Sequence, residues 1–130
     1  MALLTPRKSE KKILLVDDER DLVETLAYRL ESAGYKVLTA YDGKEALKKA
    51  REEKPRLIIL DLVLPKKDGY EVCRELKADQ EYKKIPIILF TAWKFDGDEA
   101  DGYRCGADTY LHKPIDSDLL LSTIKKLLHA

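Results

Sequence analysis

The sequence has little of what marks secreted, membrane-spanning or nucleic-acid-binding proteins. Among its 130 residues, 24 basic side chains equal 24 acidic ones, so no excess positive charge favours nucleic acid or a membrane surface. No apolar run approaches the roughly 20 residues that a membrane span needs. The first ten residues also lack the apolar stretch of a signal peptide. We therefore expect a cytoplasmic protein that contacts neither nucleic acid nor membrane directly.

Cysteine is scarce as well. Cys73 and Cys105 are far apart in the sequence and form no metal-ligand motif, which predicts two reduced thiols.

The chain length favours one domain, over residues 11–130, after a flexible lead-in over residues 1–10.

Five short apolar runs are present, and helical patterns alternate with them. The third and fourth runs are apolar at successive positions, which is typical of central strands buried on both faces. The runs cover residues 12–17, 35–40, 56–61, 85–90 and, more weakly, 107–111.

The helical patterns repeat apolar residues every three or four positions. Asp42 is a candidate N-cap for the second helix, and Asp116 or Ser117 for the fifth. The fourth pattern, near residues 96–104, is weak because it contains two glycines. The apolar stripes are Leu22, Leu26 and Leu30, then Ala46, Leu47 and Ala50, then Val72 and Leu76, and finally Leu120, Ile124, Leu127 and Leu128.

Strand and helix thus alternate five times, which predicts a doubly wound (βα)5 sandwich of the α/β class. Such an alternation forms a parallel sheet with helices on both faces. Right-handed crossovers bring every strand-to-helix loop to the same edge of the sheet. Ligands of such folds bind at that edge.

Acidic residues follow two of these runs. Asp17 and Asp18 come after the first run, and Asp61 comes after the third. If the two strands are neighbours, three carboxylates lie close together and repel, and a hard cation such as Mg²⁺ relieves that repulsion. One carboxylate can then act as a nucleophile toward phosphorus. Taken alone, the Asp17-Asp18 pair is also compatible with a helix N-cap, and Asp61 with a plain turn.

Thr91 and Lys113 follow the fourth and fifth runs. A lysine can hold one phosphoryl oxygen as a point charge, and a threonine hydroxyl and a backbone amide can hold another. Phosphoryl transfer depends mainly on positioning and charge neutralisation. The joint occurrence of these residues at strand ends therefore predicts a phosphoryl-transfer site.

With these residues in place, the chain resembles the receiver domain of two-component response regulators over residues 11–129. The resemblance implies a five-stranded parallel sheet in the order 2-1-3-4-5, with residues 11–130 as the receiver domain. The motifs that carry it are Val16-Asp17-Asp18-Glu19, Asp61-Leu62-Val63-Leu64-Pro65 with Asp68-Gly69, Thr91-Ala92, Gly106-Ala107-Asp108 and Lys113-Pro114.

The resemblance also implies a metal site and a phosphorylation site. Asp61 would be the phosphoacceptor. Asp18, Asp61 and the backbone carbonyl of Val63 would bind Mg²⁺ directly, and Asp17 would bind it through a water.

Further roles follow from the same resemblance. Thr91, the backbone amide of Ala92 and Lys113 would hold the phosphoryl oxygens. Thr91 and Tyr110 would form the switch, with Tyr110 turning inward when Thr91 moves. The bond between Lys113 and Pro114 would be cis.

The function implied is a phosphoacceptor switch rather than an enzyme with a separate substrate. A sensor histidine kinase or histidine phosphotransfer protein would donate the phosphoryl group. The fourth helix, fifth strand and fifth helix would present the switched face to an unknown output protein. We expect a monomer or a weak phosphorylation-dependent dimer, either as a stand-alone protein or as part of a larger regulator.

Some positions depart from the family pattern or invite other interpretations. Val63 is apolar and Trp93 is bulky where both would flank the path of attacking water, which predicts slow self-dephosphorylation. Leu119 is compatible with a partner patch and with the core, and His112 is expected to be exposed. Two competing functions are a phosphorylation-independent interaction module and an aspartate-nucleophile phosphatase. Such phosphatases typically carry a second acid where this chain has Val63.

Overall fold

The computed structural model describes residues 11–92 and 105–129. The expected lead-in over residues 1–10 and the weak fourth helical pattern near residues 96–104 lie outside this part of the chain, and so does Trp93. Helices are numbered below as they occur in the described residues, so the C-terminal helix is α4.

Five parallel strands form one sheet in the order β2-β1-β3-β4-β5. Both the predicted fold class and the predicted strand order are therefore confirmed. The strands are β1 (Lys12–Val16), β2 (Lys36–Ala40), β3 (Leu57–Asp61), β4 (Ile87–Thr91) and β5 (Thr109–His112).

The central strands β3 and β4 are buried along their whole length, as their continuous apolar runs predict. Strand β4 begins two residues later than the run that starts at residue 85. Pro86 has no N–H to give to a strand ladder, and the amide of Ile85 donates instead to the carbonyl of Tyr82 at 3.0 Å.

Four helices are present in the described residues: α1 (Arg20–Ser32), α2 (Gly43–Glu53), α3 (Gly69–Ala78) and α4 (Ser117–His129). Asp42 caps α2 as predicted, because its Oδ1 accepts the amide of Glu45 at 2.8 Å. Of the two candidates for α4, Asp116 is the cap. Its Oδ1 accepts the amide of Asp118 at 2.9 Å, and Ser117 is the first helical residue.

The core has two halves, one on each face of the sheet. Strand β1 shows why, because its successive side chains point to opposite faces. Leu14 and Val16 pack in the half that α2 and α3 cover, whereas Ile13 and Leu15 pack in the half that α1 and α4 cover. This two-sided burial fixes the strand register and leaves the carboxyl edge of the sheet as the place for polar side chains.

No helix within residues 11–92 and 105–129 is long and apolar enough to cross a membrane.

Candidate functional site at the carboxyl edge of the sheet

The structure brings the predicted strand-end residues to one edge. Asp17 directly follows β1, and its amide donates to the carbonyl of Ala40 at 3.2 Å. Asp61 and Thr91 are the last residues of β3 and β4. Lys113 follows β5, and its amide donates to the Thr91 carbonyl at 2.9 Å. Parallel pairing of the strands therefore brings residues that are far apart in the sequence together in one site.

Three carboxylates form the centre of this site. Oxygen atoms of Asp17, Asp18 and Asp61 all lie within 4.8 Å of one another. Asp17 is fully buried and Asp61 is 5% exposed, whereas Asp18 is exposed. The cluster therefore has a buried floor and one side open to solvent.

Lys113 is the cation that contacts this cluster among the described residues. Its Nζ lies 2.7 Å from Asp17 Oδ2, 2.8 Å from Glu19 Oε1 and 3.3 Å from Asp61 Oδ2. The contact with Asp17 Oδ2 is the shortest of the three ion pairs. Nζ also lies 5.1 Å from the centre of the Phe90 ring, whose face favours a cation.

Burial and crowding of the carboxylates change their proton affinity. Burial, with the neighbouring charge of Asp17, raises the pKa of Asp61 from 3.8 to about 6, although Lys113 acts against this rise. Burial also raises the pKa of Asp17. Burial alone would lower the pKa of Lys113, but its hydrogen bonds to Asp17 and Glu19 and the charge of Asp61 raise it. Lys113 thus stays charged and only partly offsets the carboxylates.

The loop from β3 to α3 borders the site because of a close backbone approach at Gly69. A Cβ at this position would lie 2.0 Å from the carbonyl oxygen of Asp61, so no other residue fits without movement. The Val63 amide donates to Asp61 Oδ1 at 3.2 Å, and the Val63 side chain is 46% exposed. Asp68 caps α3 by accepting the Glu71 amide at 2.9 Å, which fixes where the loop ends.

The residues expected to bind and sense a phosphoryl group lie on β4 and β5. Thr91 is buried and Ala92, the next residue, is exposed. Tyr110 is buried in the half of the core that α2 and α3 cover, and its ring meets His112 edge-on at 5.1 Å between centroids. His112 is exposed, as predicted. The switch role of Thr91 and Tyr110 stays a prediction.

Other expectations have direct outcomes. The bond between Lys113 and Pro114 is cis. Leu119 is 50% exposed, so of its two possible places it is at the surface rather than in the core. The sequence pattern predicts no role for Glu19, yet its carboxylate contacts Lys113. The only signal in the sequence was its position directly after the acidic pair.

The negative charges of the site favour a bound divalent cation, because Lys113 offsets only part of them. Glu19 and the three clustered aspartates carry four negative charges when ionised, and Lys113 supplies one positive charge. Carboxylate oxygens are the ligands that Mg²⁺ prefers, and Mg²⁺ is commonly held by one or two carboxylates with further oxygens from water and phosphate. Asp18, exposed beside two buried acids, leaves such an ion open to solvent on one side.

The fold and the site together define a doubly wound α/β protein with an acidic, lysine-containing site at the carboxyl edge of its sheet. The family model described as "Response regulator receiver domain" matches residues 13–125. The chain belongs to this family.

Individual relatives agree with this placement. The chain is 48% identical over 118 residues to the alkaline phosphatase synthesis transcriptional regulatory protein PhoP of Bacillus subtilis, a match that covers 91% of this chain and 48% of that protein. The chain spans about half the length of the curated relatives that it matches.

Solved structures are similar over nearly the whole chain. The signal receiver domain of a signal transduction histidine kinase from Syntrophus aciditrophicus has 36% identity and a TM-score of 0.86, with 92% of this chain and 90% of that chain covered. The receiver domain of a sensor histidine kinase from Pseudomonas aeruginosa has 31% identity and a TM-score of 0.86, with 92% and 98% covered. It was solved with a magnesium ion coordinated in its active site cleft.

Proposed function

We propose that this receiver domain accepts a phosphoryl group on Asp61 from a sensor histidine kinase or a histidine phosphotransfer protein. The observation that carries the proposal is the position of Asp61, which is buried within 4.8 Å of two other acids and 3.3 Å from the Lys113 ammonium. An acid in such a place is poorly stabilised as a free anion and well placed beside charges that can stabilise a phosphoryl group.

The two oxygens of Asp61 have different neighbours. Oδ1 accepts the Val63 amide, and Oδ2 faces Lys113. In transfer, a carboxylate oxygen of Asp61 attacks phosphorus while the bond from phosphorus to the donor nitrogen or oxygen breaks. Lys113, the Thr91 hydroxyl and the Ala92 amide then hold the phosphoryl oxygens and neutralise their charge.

We assign the metal site to Asp18, Asp61 and the Val63 carbonyl, with Asp17 acting through a water. When bound, Mg²⁺ neutralises charge between the carboxylates and the phosphoryl oxygens. Lys113 has a second role here. It lies against Asp17 and Glu19, and we propose that it shifts toward the phosphoryl oxygens during transfer.

The output follows from a shift between two conformations. A phosphoryl group changes that equilibrium only by the difference in its interactions with the two states. We propose that Thr91 and Tyr110 link the site to the face formed by β5 and α4, which an output protein recognises. The domain acts in the cytoplasm as a monomer or a weak phosphorylation-dependent dimer.

We propose no separate enzymatic substrate. The chain promotes its own phosphorylation and slow self-dephosphorylation. An aspartate-nucleophile phosphatase typically has a second acid two residues after the nucleophile, and Val63 occupies that position. The exposed Val63 side chain lies beside the path by which water would reach a phosphoryl group on Asp61, which favours slow hydrolysis.

The direct experiment is phosphorylation by a small donor. The protein is incubated with Mg²⁺ and acetyl phosphate, and its intact mass is measured. We expect a mass increase of one phosphoryl group that requires Mg²⁺ and is absent from Asp61→Asn.

Glu24→Gln is the matched control, because Glu24 is an exposed carboxylate on α1 that does not belong to the acidic cluster. It should be phosphorylated like the wild type. Equal incorporation in Asp61→Asn would refute the assignment of Asp61. No incorporation in the wild type would favour an interaction module that works without phosphorylation.

A further inference from the structure

The two cysteines, 32 positions apart in the sequence, meet beneath α3. Cys73 lies in the middle of this helix and is fully buried, and Cys105 is 3% exposed. Cys73 Sγ lies 3.5 Å from the carbonyl oxygen of Cys105 and within hydrogen-bonding reach of its sulfur. Both residues are thiols and belong to the same half of the core.

The backbone on the Cys105 side is held tightly against α3. Gly106 has a φ of +94°, and a Cβ there would come within 3.0 Å of the Lys77 side chain. Lys77 Nζ contacts Asp108 Oδ2 at 2.9 Å and the Ile85 carbonyl at 2.7 Å. Asp108 Oδ2 also accepts the Ile87 amide at 2.8 Å. These contacts fix the start of β5 against α3 and hold Cys105 beside Cys73.

The surroundings also make the two sulfurs chemically unequal. The hydrogen bond from Cys73 lowers the pKa of Cys105 despite its burial, and the Ala107 amide acts in the same direction. The same pairing raises the pKa of Cys73, with burial adding to the rise. The charge of Lys77 favours the thiolate at both positions. Cys105 is thus the sulfur that ionises first, and Cys73 retains its proton.

We propose that Cys73 and Cys105 are a redox-active dithiol that hydrogen peroxide converts into an intramolecular disulfide. The Cys105 thiolate attacks one peroxide oxygen, the O–O bond breaks, and a sulfenic acid and hydroxide form. The Cys73 sulfur then attacks the Cys105 sulfur, its proton passes to the sulfenic hydroxyl, the S–O bond breaks, and water leaves. In sum, two thiols and one peroxide give one disulfide and two waters.

The bond would tie α3 covalently to the residue that leads into β5. Strand β5 carries Tyr110 and is followed by Lys113, so the link joins the helix after the acidic loop to the strand before the lysine. The proposal does not depend on phosphorylation, because thiol chemistry alone tests it.

The test counts thiols in the full chain after hydrogen peroxide treatment. Samples are unfolded in the presence of iodoacetamide, and their intact mass is measured. The reduced protein should gain two alkyl groups. The oxidised protein should gain none, should weigh less than the reduced chain by two hydrogens, and should regain both thiols after dithiothreitol.

Two single variants separate the roles of the sulfurs. In Cys73→Ser, the Cys105 sulfenic acid should persist and be trapped by dimedone. In Cys105→Ser, Cys73 should stay a thiol in the folded protein. Circular dichroism checks that each variant folds.

Three results would overturn the proposal. They are disulfides between two chains only, oxygen adducts on one sulfur with the other thiol intact, and thiols that resist peroxide until urea unfolds the wild type. The last result is decided on the wild type alone, so the test stands even if a variant fails to fold.

Discussion

Replacing Asp61 by asparagine should stabilise the metal-free protein near neutral pH. Asparagine has the shape of the protonated acid and no charge, so it removes a poorly stabilised anion. A difference of one in pKa corresponds to about 1.4 kcal/mol, so the rise from 3.8 to about 6 corresponds to about 3 kcal/mol. Solvent screening at the open side of the cluster reduces this free energy. We therefore expect Asp61→Asn to raise the free energy of unfolding by about 1.5 kcal/mol.

The sign follows from proton binding. Between about pH 4 and pH 6 the folded wild type binds a proton on Asp61 that the unfolded chain releases, so wild-type stability falls as pH rises through this interval. The advantage of Asp61→Asn should therefore be small at the acidic end, grow across the interval and stay constant above it. Carboxylates outside the cluster titrate alike in both proteins, so the pH dependence of the difference reports Asp61 and the neighbouring charges coupled to it.

The assay is urea unfolding in EDTA at a series of pH values, followed by circular dichroism. Glu24→Gln is again the control and should change stability little at any pH, because its carboxylate is exposed. An Asp61→Asn protein that is no more stable than the wild type near neutral pH would refute the reasoning. A gain that does not change with pH would also refute it, because titration of Asp61 would then not be its source.

Three further predictions concern other parts of the chain. Mg²⁺ at a hundred times its Kd should raise the unfolding free energy by about 2.7 kcal/mol, and Asp18→Asn should remove most of this gain in urea titrations with and without Mg²⁺. Asp42→Ala should lower stability by about 1 kcal/mol near neutral pH through loss of the α2 cap. Because a hydrogen bond to the Glu45 amide lowers the pKa of Asp42, the difference from wild type should shrink as pH falls below about 3.8. A Cys73–Cys105 disulfide, which joins residues 32 apart, should raise the unfolding free energy by about 3 to 4 kcal/mol before any strain, as measured by urea unfolding of the oxidised and reduced protein.

The fold, and the position of the main site residues at one edge of the sheet, could be predicted from the sequence. Apolar runs at successive positions predicted the buried central strands, and the alternation with helices predicted one parallel sheet. In a parallel sheet the ends of strands share an edge, so Asp17, Asp61, Thr91 and Lys113 could be placed together without coordinates. The order of the strands came from the family resemblance.

Other features depended on contacts between distant side chains. The start of β5 falls two residues after the apolar run begins, because Asp108 binds Lys77 and the Ile87 amide instead of extending the strand. The contact of Glu19 with Lys113 depends on a side-chain rotamer that a motif does not specify. The meeting of Cys73 with Cys105 depends on how the chain turns at Gly106 against α3, which spacing in the sequence does not reveal.

The central claim is that Asp61 is the residue that takes up the phosphoryl group. Its most direct test is to phosphorylate the protein with acetyl phosphate and Mg²⁺ and then reduce it with borohydride, which converts a phosphorylated aspartate into homoserine. Peptide mass spectrometry should find homoserine at position 61 and unchanged aspartate at positions 17 and 18. Homoserine at either of those positions, with Asp61 unchanged, would contradict the account.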